Sequence, residues 1–228
     1  MNPVLTLDHV SYSYHTPSGE TPALKDVSFS VRPGSFTSIA GPSGCGKSTL
    51  LSLIAGLIAP EKGCIHFYKS DAMPAAARIG YMLQHDTLLE WRTIYKNILL
   101  GLEVTHQCTE QKKRLAADMM HDYGLASFKN AHPSELSGGM RQRAALIRTL
   151  VLEPDILLLD EPFSALDYQT RLEVSDDIFR IIKEQEKTAL LVTHDISEAI
   201  AMGEQVIVFS GRPAGIKNVF DIHLSVDK

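Results

Sequence analysis

Cysteine is scarce in this sequence. The 228 residues include three cysteines, Cys45, Cys64 and Cys108, which lie far apart. An odd number at wide spacing predicts neither a disulfide framework nor a zinc site. This usage is typical of proteins kept in a reducing compartment, so we expect a cytosolic protein.

The sequence also lacks an excess of basic charge and any long apolar run. Lysine and arginine number 22 against 27 acidic residues, a net charge of −5, so we expect no nucleic acid as the main partner. The longest apolar stretch, residues 50–59, is shorter than the roughly 20 residues that span a bilayer. Residues 1–8 have neither the basic start nor the apolar core of a signal peptide. The length of 228 residues suits one large globular domain, or one domain with a subdomain.

A glycine-rich stretch at residues 41–49 matches the phosphate-loop pattern G-x-x-x-x-G-K-[ST]. Its glycines allow successive backbone N–H groups to face one anion, Lys47 supplies a cation, and the Ser48 hydroxyl can ligate Mg²⁺. A strand pattern at 36–40 precedes it, and apolar residues at helical spacing follow from 50 to 58. This context weighs against a chance match. The predicted nucleotide-binding residues here are Gly41, Pro42, Ser43, Gly44, Cys45, Gly46, Lys47, Ser48 and Thr49.

Two continuous apolar runs end in side chains that can bind a metal ion or take part in catalysis. Residues 156–159 predict a buried parallel strand, and Asp160 and Glu161 follow it. Two adjacent carboxylates at the end of a buried strand are costly to desolvate unless they bind a metal ion or take part in a reaction. Here Asp160 can hold Mg²⁺, and Glu161 can activate water. Residues 189–193 predict a second such strand that ends in His194. A lone histidine is usually structural, but at the sheet edge that holds the phosphate loop it becomes a candidate for contact with a γ-phosphate.

Three other features are weaker on the residues alone. Gln84 follows a strand pattern at the edge where ligands bind, but one glutamine is weak evidence. Tyr12 and Tyr14 would share one face of a regular strand, which favours a half-buried strand. A second glycine-rich turn opens a helix from residue 140, which suggests either a second anion site or a simple helix start. That turn comprises Ser137, Gly138 and Gly139.

Helix ends are also marked. Residues 109–123 predict a charged helix that stops at Gly124. Asp195 and Glu198 are spaced as a capping box for the helix after His194.

Taken together, the motifs resemble the ATP-binding subunit of an ABC transporter over essentially the whole chain. The phosphate loop is followed in order by residues 136–142, similar to the family signature, and 156–161, similar to the Walker B strand. Residues 164–167 resemble the D-loop, and His194 matches the switch histidine. The full set in this order is far more specific than any single motif.

The resemblance implies roles for individual residues. Tyr14 matches the A-loop aromatic that stacks on adenine, with Tyr12 the weaker candidate, and Gln84 matches the Q-loop residue that reaches Mg²⁺ and the attacking water. Glu161 matches the general base, and His194 matches the residue that positions it and the γ-phosphate.

The implied cofactors are ATP and Mg²⁺, with Lys47 on the phosphates and Ser48 and Asp160 on the metal ion. Family members form a head-to-tail dimer. The resemblance therefore implies that Ser137, Gly138 and Gly139, together with Asp167 of the D-loop, serve ATP held between two subunits.

The implied fold is α/β: a P-loop NTPase core with a mostly parallel sheet, an N-terminal antiparallel β-region and an inserted α-helical subdomain. We expect one ABC ATPase domain over residues 1–228. Its nucleotide-binding core would be 1–87 and 151–228, and its helical subdomain, with the signature, 88–150.

The chain is most similar to the group that imports nitrate, sulfonates and taurine. Residues 84–94 and 211–216 resemble that group, although Arg92 stands where a hydrophobic residue is usual and Ala214 is inserted where many members have glycine directly. By the same resemblance, residues 84–101 would touch a permease. Trp91 within them is either part of that contact or core of the subdomain.

The expected partners follow from this group. They are transmembrane permease subunits, a second copy or a related ATPase subunit, and a substrate-binding protein acting through the permease. The expected location is the cytoplasmic face of the membrane, as a peripheral protein. The alternatives are a soluble ABC-type ATPase acting on DNA or ribosomes, whose members usually carry two nucleotide domains or a coiled-coil insertion, and a small-molecule kinase, which the signature and His194 oppose.

Overall fold

A computed structural model describes residues 2–17, 19–68 and 76–223. The strands within these residues are β1 Leu5–Thr16, β2 Gly19–Val31, β3 Phe36–Ala40, β4 Lys62–Phe67, β5 Ile79–Met82, β6 Ile156–Asp160, β7 Thr188–Thr193, β8 Gln205–Phe209 and β9 Ile216–Asp221. The helices are α1 Lys47–Ile54, α2 Ile94–Val104, α3 Glu110–Asp122, α4 Gly138–Leu150, α5 Tyr168–Glu184 and α6 Ile196–Met202.

The first sheet is antiparallel, in the order β2-β1-β4. It confirms the predicted N-terminal β-region. The pairing of β1 with β2 is irregular, with register shifts on both sides of Tyr12. Tyr12 and Tyr14 nevertheless lie next to each other, with ring centroids 5.1 Å apart in an edge-to-face arrangement, which agrees with the prediction that they share one face.

The second sheet holds the predicted site residues at the ends of its strands. Its order is β5-β6-β7-β3-β8-β9, and every neighbouring pair is parallel except β8 with β9. Every residue of β3, β6 and β7 is buried, as expected of central parallel strands covered on both faces. Because the carboxyl ends of parallel strands meet at one edge, the residues after β3, β6 and β7 are gathered there. The predicted α/β core with a mostly parallel sheet is confirmed.

Helices α2, α3 and α4 lie between β5 and β6 in the chain. Their buried faces share one core, which includes Ile98, Leu102, Met120 and Ile147. The limits of the helical subdomain, residues 88–150, stay a prediction.

Two local predictions were wrong. The apolar pattern after the phosphate loop runs to Ile58, but α1 ends at Ile54, because Gly56 takes a left-handed conformation with φ 70° and turns the chain. Asp195 caps α6 as expected, but Glu198 does not complete a capping box. Its carboxylate instead accepts a hydrogen bond from the Thr193 hydroxyl.

The helix predicted at 109–123 is α3, which Thr109 caps and which Gly124 follows with φ 73°. Within the described ranges no helix is both long enough and apolar enough to cross a membrane.

Candidate active site

The glycine-rich loop connects β3 to α1. Gly44 and Gly46 have φ of 72° and 131°, and a Cβ on Gly46 would lie 2.7 Å from the carbonyl oxygen of Ala23. Glycine is therefore required at position 46 by both backbone conformation and space. Because the residue that caps α1 is Gly46, no side chain there competes for the first N–H groups of the helix, which remain suited to an anion. The Cys45 thiol is buried in the core, so this residue offers its backbone.

Lys47 is held at the mouth of the loop. Its ammonium donates to the carbonyl oxygens of Gly41 and Pro42, at 2.9 and 3.1 Å. It also lies 3.4 Å from a carboxylate oxygen of Glu161. The Lys47 side chain is 3% exposed, so this cation has few conformations available and points at one small volume.

Ser48 and Asp160 form a pair of hard oxygen ligands. The Ser48 hydroxyl donates to Asp160 Oδ1 at 2.9 Å, and the Tyr81 hydroxyl donates to Oδ2 at 3.2 Å. Burial raises the pKa of Asp160, although these two hydrogen bonds act against the rise. Burial and the neighbouring Asp160 charge also raise the pKa of Tyr81 well above its usual range, so the phenol stays a donor. A hydroxyl beside a buried carboxylate fits the ligand preference of Mg²⁺.

Glu161 and His194 meet at the same edge. His194 Nδ1 lies 2.9 Å from Glu161 Oε2, while the other carboxylate oxygen of Glu161 faces Lys47. Glu161 has φ 43°, a left-handed conformation that is uncommon outside glycine, and its N–H donates to Val192 on β7. The turn after β6 is therefore held against β7, which brings the carboxylate to the histidine.

Gln84 is connected to Glu161 by two hydrogen bonds that share the Ser164 hydroxyl. Its side-chain amide donates to Ser164 Oγ at 3.2 Å, and that hydroxyl donates to the Glu161 carbonyl at 3.0 Å. Gln84 thus lies at the same sheet edge, but it is not among the residues that line the phosphate-loop cavity.

A cavity of about 210 Å³ opens beside the loop. Tyr14 lines one side of it, 41% exposed, with its hydroxyl 3.0 Å from Thr49 Oγ1. Arg212 lines the cavity as well, and its Nε donates to the Pro22 carbonyl at 3.0 Å. The full lining is Tyr14, Ala23, Gly44, Gly46, Lys47, Ser48, Thr49, Glu161 and Arg212.

Sequence reasoning missed Tyr81 and Arg212. Tyr81 reaches Asp160 because β5 pairs with β6 so that Tyr81 lies beside Leu158, two residues before Asp160. Arg212 reaches the cavity because the segment before β9 bonds to β2. Neither pairing has a local signal in the sequence.

The predicted residues of the signature and the D-loop do not line this cavity; they are Ser137, Gly138, Gly139 and Asp167. Ser137 caps α4 and Asp167 caps α5. A Cβ on Gly139 would lie 2.5 Å from Val174 on α5, and one on Gly138 would lie 2.8 Å from Leu166. These glycines therefore let the starts of two helices pack side by side, away from the phosphate loop of the same chain.

The segment after β5 contains Trp91, which the sequence alone leaves as either core or part of a permease contact. Trp91 is 76% exposed, so its interpretation as core was wrong. The segment is held instead by buried Asn97, whose amide group donates to the carbonyls of Leu89 and Arg92 and accepts from the Leu89 N–H.

Comparison with known proteins identifies the class. A family model described as ABC transporter matches residues 24–164. An uncharacterized ABC transporter ATP-binding protein of Bacillus subtilis, YtlC, is 49% identical over 96% of this chain and 84% of its own. The nitrate import ATP-binding protein NrtC of Synechococcus elongatus is 41% identical over 94% of this chain and 33% of its own. The aliphatic sulfonates import ATP-binding protein SsuB 1 of Rhodococcus jostii is 43% identical over 84% of this chain and 74% of its own.

Solved structures agree. The structure described as the dimeric structure of MJ0796, a bacterial ABC transporter cassette, superposes with a TM-score of 0.80 at 29% identity, over 96% of this chain and 99% of that one. The fold and the phosphate loop place this chain in the class of P-loop ATPases. Within that class, it belongs to the ABC transporter family.

Proposed function

We propose that this chain is the ATP-hydrolysing subunit that powers a membrane importer of a small anionic or nitrogen- or sulfur-containing compound. The observation that carries the hydrolytic part is the position of Glu161, whose two carboxylate oxygens face Lys47 and His194 beside the Ser48–Asp160 pair. Activated water, phosphate charge and metal ligands would meet at that point.

ATP binding would use the cavity and the loop. The N–H groups of the loop, the start of α1 and the Lys47 ammonium attract the phosphates. The exposed ring of Tyr14 is available to stack on adenine, and Arg212 adds a cation to the same wall. Mg²⁺ held by Ser48 and Asp160, with Gln84 nearby, would neutralise charge on the phosphates.

Hydrolysis would depend on Glu161. Its carboxylate orients and deprotonates the attacking water, a contribution of about 10²- to 10⁴-fold for a positioned general base. His194 would hold the carboxylate through the contact of its Nδ1 with Oε2, and its other ring nitrogen would contact the γ-phosphate. Lys47 and the loop N–H groups stabilise the charge that spreads over the transferred phosphoryl group.

The site would be completed by a second copy or a related ATPase subunit. Ser137, Gly138, Gly139 and Asp167 lie where two helices begin together, and none of them lines the cavity of its own chain. The start of α4 has the neutral cap Ser137, so its N-terminal N–H groups favour an anion, which supports contact with ATP bound to the opposite subunit. ATP would then favour the closed pair, and hydrolysis would remove that preference.

The transport assignment rests on relatives and on one surface. Several relatives are named as nitrate, sulfonate or taurine import proteins. Trp91 projects from the segment that Asn97 anchors, which suits contact with a permease on the cytoplasmic side of a membrane. A substrate-binding protein would act through that permease.

The hydrolytic part is tested by phosphate release from ATP with water as the sole acceptor. We expect turnover by the wild type, a loss of about 10²-fold or more in Glu161→Gln, and wild-type turnover in the matched control Glu184→Gln, on the exposed side of α5. A requirement for another acceptor would indicate a kinase instead.

The transport part is tested by tagging the chain in its native host and identifying what co-purifies from gently solubilised membranes. A multi-span permease supports the proposal. Recovery only with ribosomes or DNA would contradict it, and the ATPase proposal would be unaffected.

A further inference from the structure

Arg171 on α5 connects two segments that border the active site. One guanidinium nitrogen, Nη2, donates to the carbonyl of Leu166 at 3.1 Å. The other, Nη1, lies 3.6 Å from Oδ2 of Asp195, the residue that follows His194. A single side chain therefore spans from residues 164–167 to the histidine turn.

The Arg171 side chain is mostly shielded from solvent between its two partners. Its side chain is 25% exposed, and its Nε is buried without a hydrogen-bond partner in the described part of the chain. Two acidic groups face it, Asp195 and the half-buried Glu198, whose pKa is raised by burial. The guanidinium thus holds one segment by a hydrogen bond to a carbonyl and the other by an ion pair with a carboxylate.

Asp195 in turn fixes the histidine. Its Oδ1 accepts from the N–H groups of Ser197 and Glu198, and its own N–H donates to Thr193 Oγ1 at 3.0 Å. His194 lies between Thr193 and Asp195 in the chain, and these two residues are joined by that hydrogen bond. The oxygen that caps α6 and the oxygen that faces Arg171 belong to one carboxylate, so the start of the helix and the arginine are coupled.

We propose that Arg171 is a positioning residue for hydrolysis, which aligns His194 and Glu161 according to the position of residues 164–167. The same segment already contacts Glu161 from the other side, since Ser164 donates to its carbonyl. The inference rests on the proposed function: if Asp167 contacts a second subunit, closure of the pair moves this segment, and Arg171 transmits that movement to the histidine.

The test compares Arg171→Met with Arg180→Met. Methionine keeps most of the aliphatic stem and removes the charge, and Arg180 is an exposed residue of the same helix that pairs with Asp177. We expect Arg171→Met to lower kcat about 10- to 100-fold, the cost of a misplaced catalytic group, with KM for ATP changed less than about twofold. Arg180→Met should retain wild-type kinetics.

Asp195→Asn provides a second measurement that does not depend on Arg171 variants folding. Asparagine still caps the helix but loses the charge. It should lower kcat as well, and the double variant should lose no more than the worse single variant, because the two residues act as one unit. Arg171→Lys should recover only part of kcat, since an ammonium cannot hold two partners in a fixed plane.

Several outcomes would overturn the inference. They are wild-type kcat in a folded Arg171→Met, a rise in KM that accounts for the whole effect, and additive losses in the double variant. A wild-type protein that hydrolyses no ATP would instead refute the proposed function.

Discussion

Asp86 accepts several hydrogen bonds that should stabilise the folded protein. Its carboxylate accepts from Arg141 Nε and Nη2, at 2.9 and 3.3 Å, and from the Leu88 N–H at 3.0 Å. It thereby ties the segment after Gln84 to α4, the helix that opens at Ser137. Asp86→Asn keeps an oxygen for the Leu88 N–H but loses the charged pair with Arg141.

The expected cost is about 2 kcal/mol at pH 7, the value of a hydrogen bond to a charged group that is mostly shielded from water. In a chain of this size each kcal/mol moves Tm by about 2–4 °C. Asp86→Asn should therefore melt about 4–8 °C below the wild type. Asp118→Asn, on the exposed face of α3, is the matched control and should melt with the wild type.

The pH dependence provides a further check. Burial acts to raise the pKa of Asp86, but the hydrogen bonds from Arg141 and Leu88, with the charges of Arg141 and Arg148, lower it below its ordinary 3.8. A lowered folded-state pKa stabilises the protein above the unfolded value, and the contribution is lost as pH falls through the folded one. The difference in Tm should therefore hold from pH 7 to about 5 and shrink below about 4. An equal Tm at pH 7, or a difference in Tm that persists in acid, would show that the Asp86–Arg141 pair does not stabilise the fold.

Three further substitutions follow from the site. Gly46→Ala forces a Cβ to 2.7 Å from a backbone oxygen at φ 131°, so it should destabilise the loop by about 1–3 kcal/mol and abolish ATP binding measured by calorimetry. Tyr81→Phe removes the hydroxyl that holds Asp160 Oδ2; at about 1 kcal/mol it should raise the Mg²⁺ concentration for half-maximal turnover about fivefold. Arg212→Met removes a cation from the cavity wall and should weaken ATP binding about three- to tenfold, with kcat at saturating ATP unchanged. An unaltered ATP affinity would exclude Arg212 from the nucleotide site.

Features encoded within a few residues could be predicted from the sequence. The phosphate loop, the buried strand predicted at 156–159 and the charged helix predicted at 109–123 each depend on local pattern and local chemistry. Because a parallel sheet brings strand ends to one edge, the meeting of Glu161 with His194 could also be anticipated.

Features that depend on tertiary register could not be predicted. Tyr81 contacts Asp160, 79 residues further along the chain, because β5 and β6 pair in one particular register. Arg212 lines the cavity because its side chain donates a hydrogen bond to Pro22, 190 residues earlier in the chain. Trp91 is exposed while Leu88 and Ile94 on either side of it are buried, a difference that the apolar sequence of this segment does not reveal.

The proposal that two chains complete each ATP site can be decided by the mass of Glu161→Gln in solution with ATP and Mg²⁺. Light scattering on a sizing column would give that mass. We expect an ATP-dependent dimer of twice the 25.1 kDa chain, which dissociates when ATP is removed. A monomer of 25.1 kDa that carries bound ATP would contradict pairing of the chain with itself.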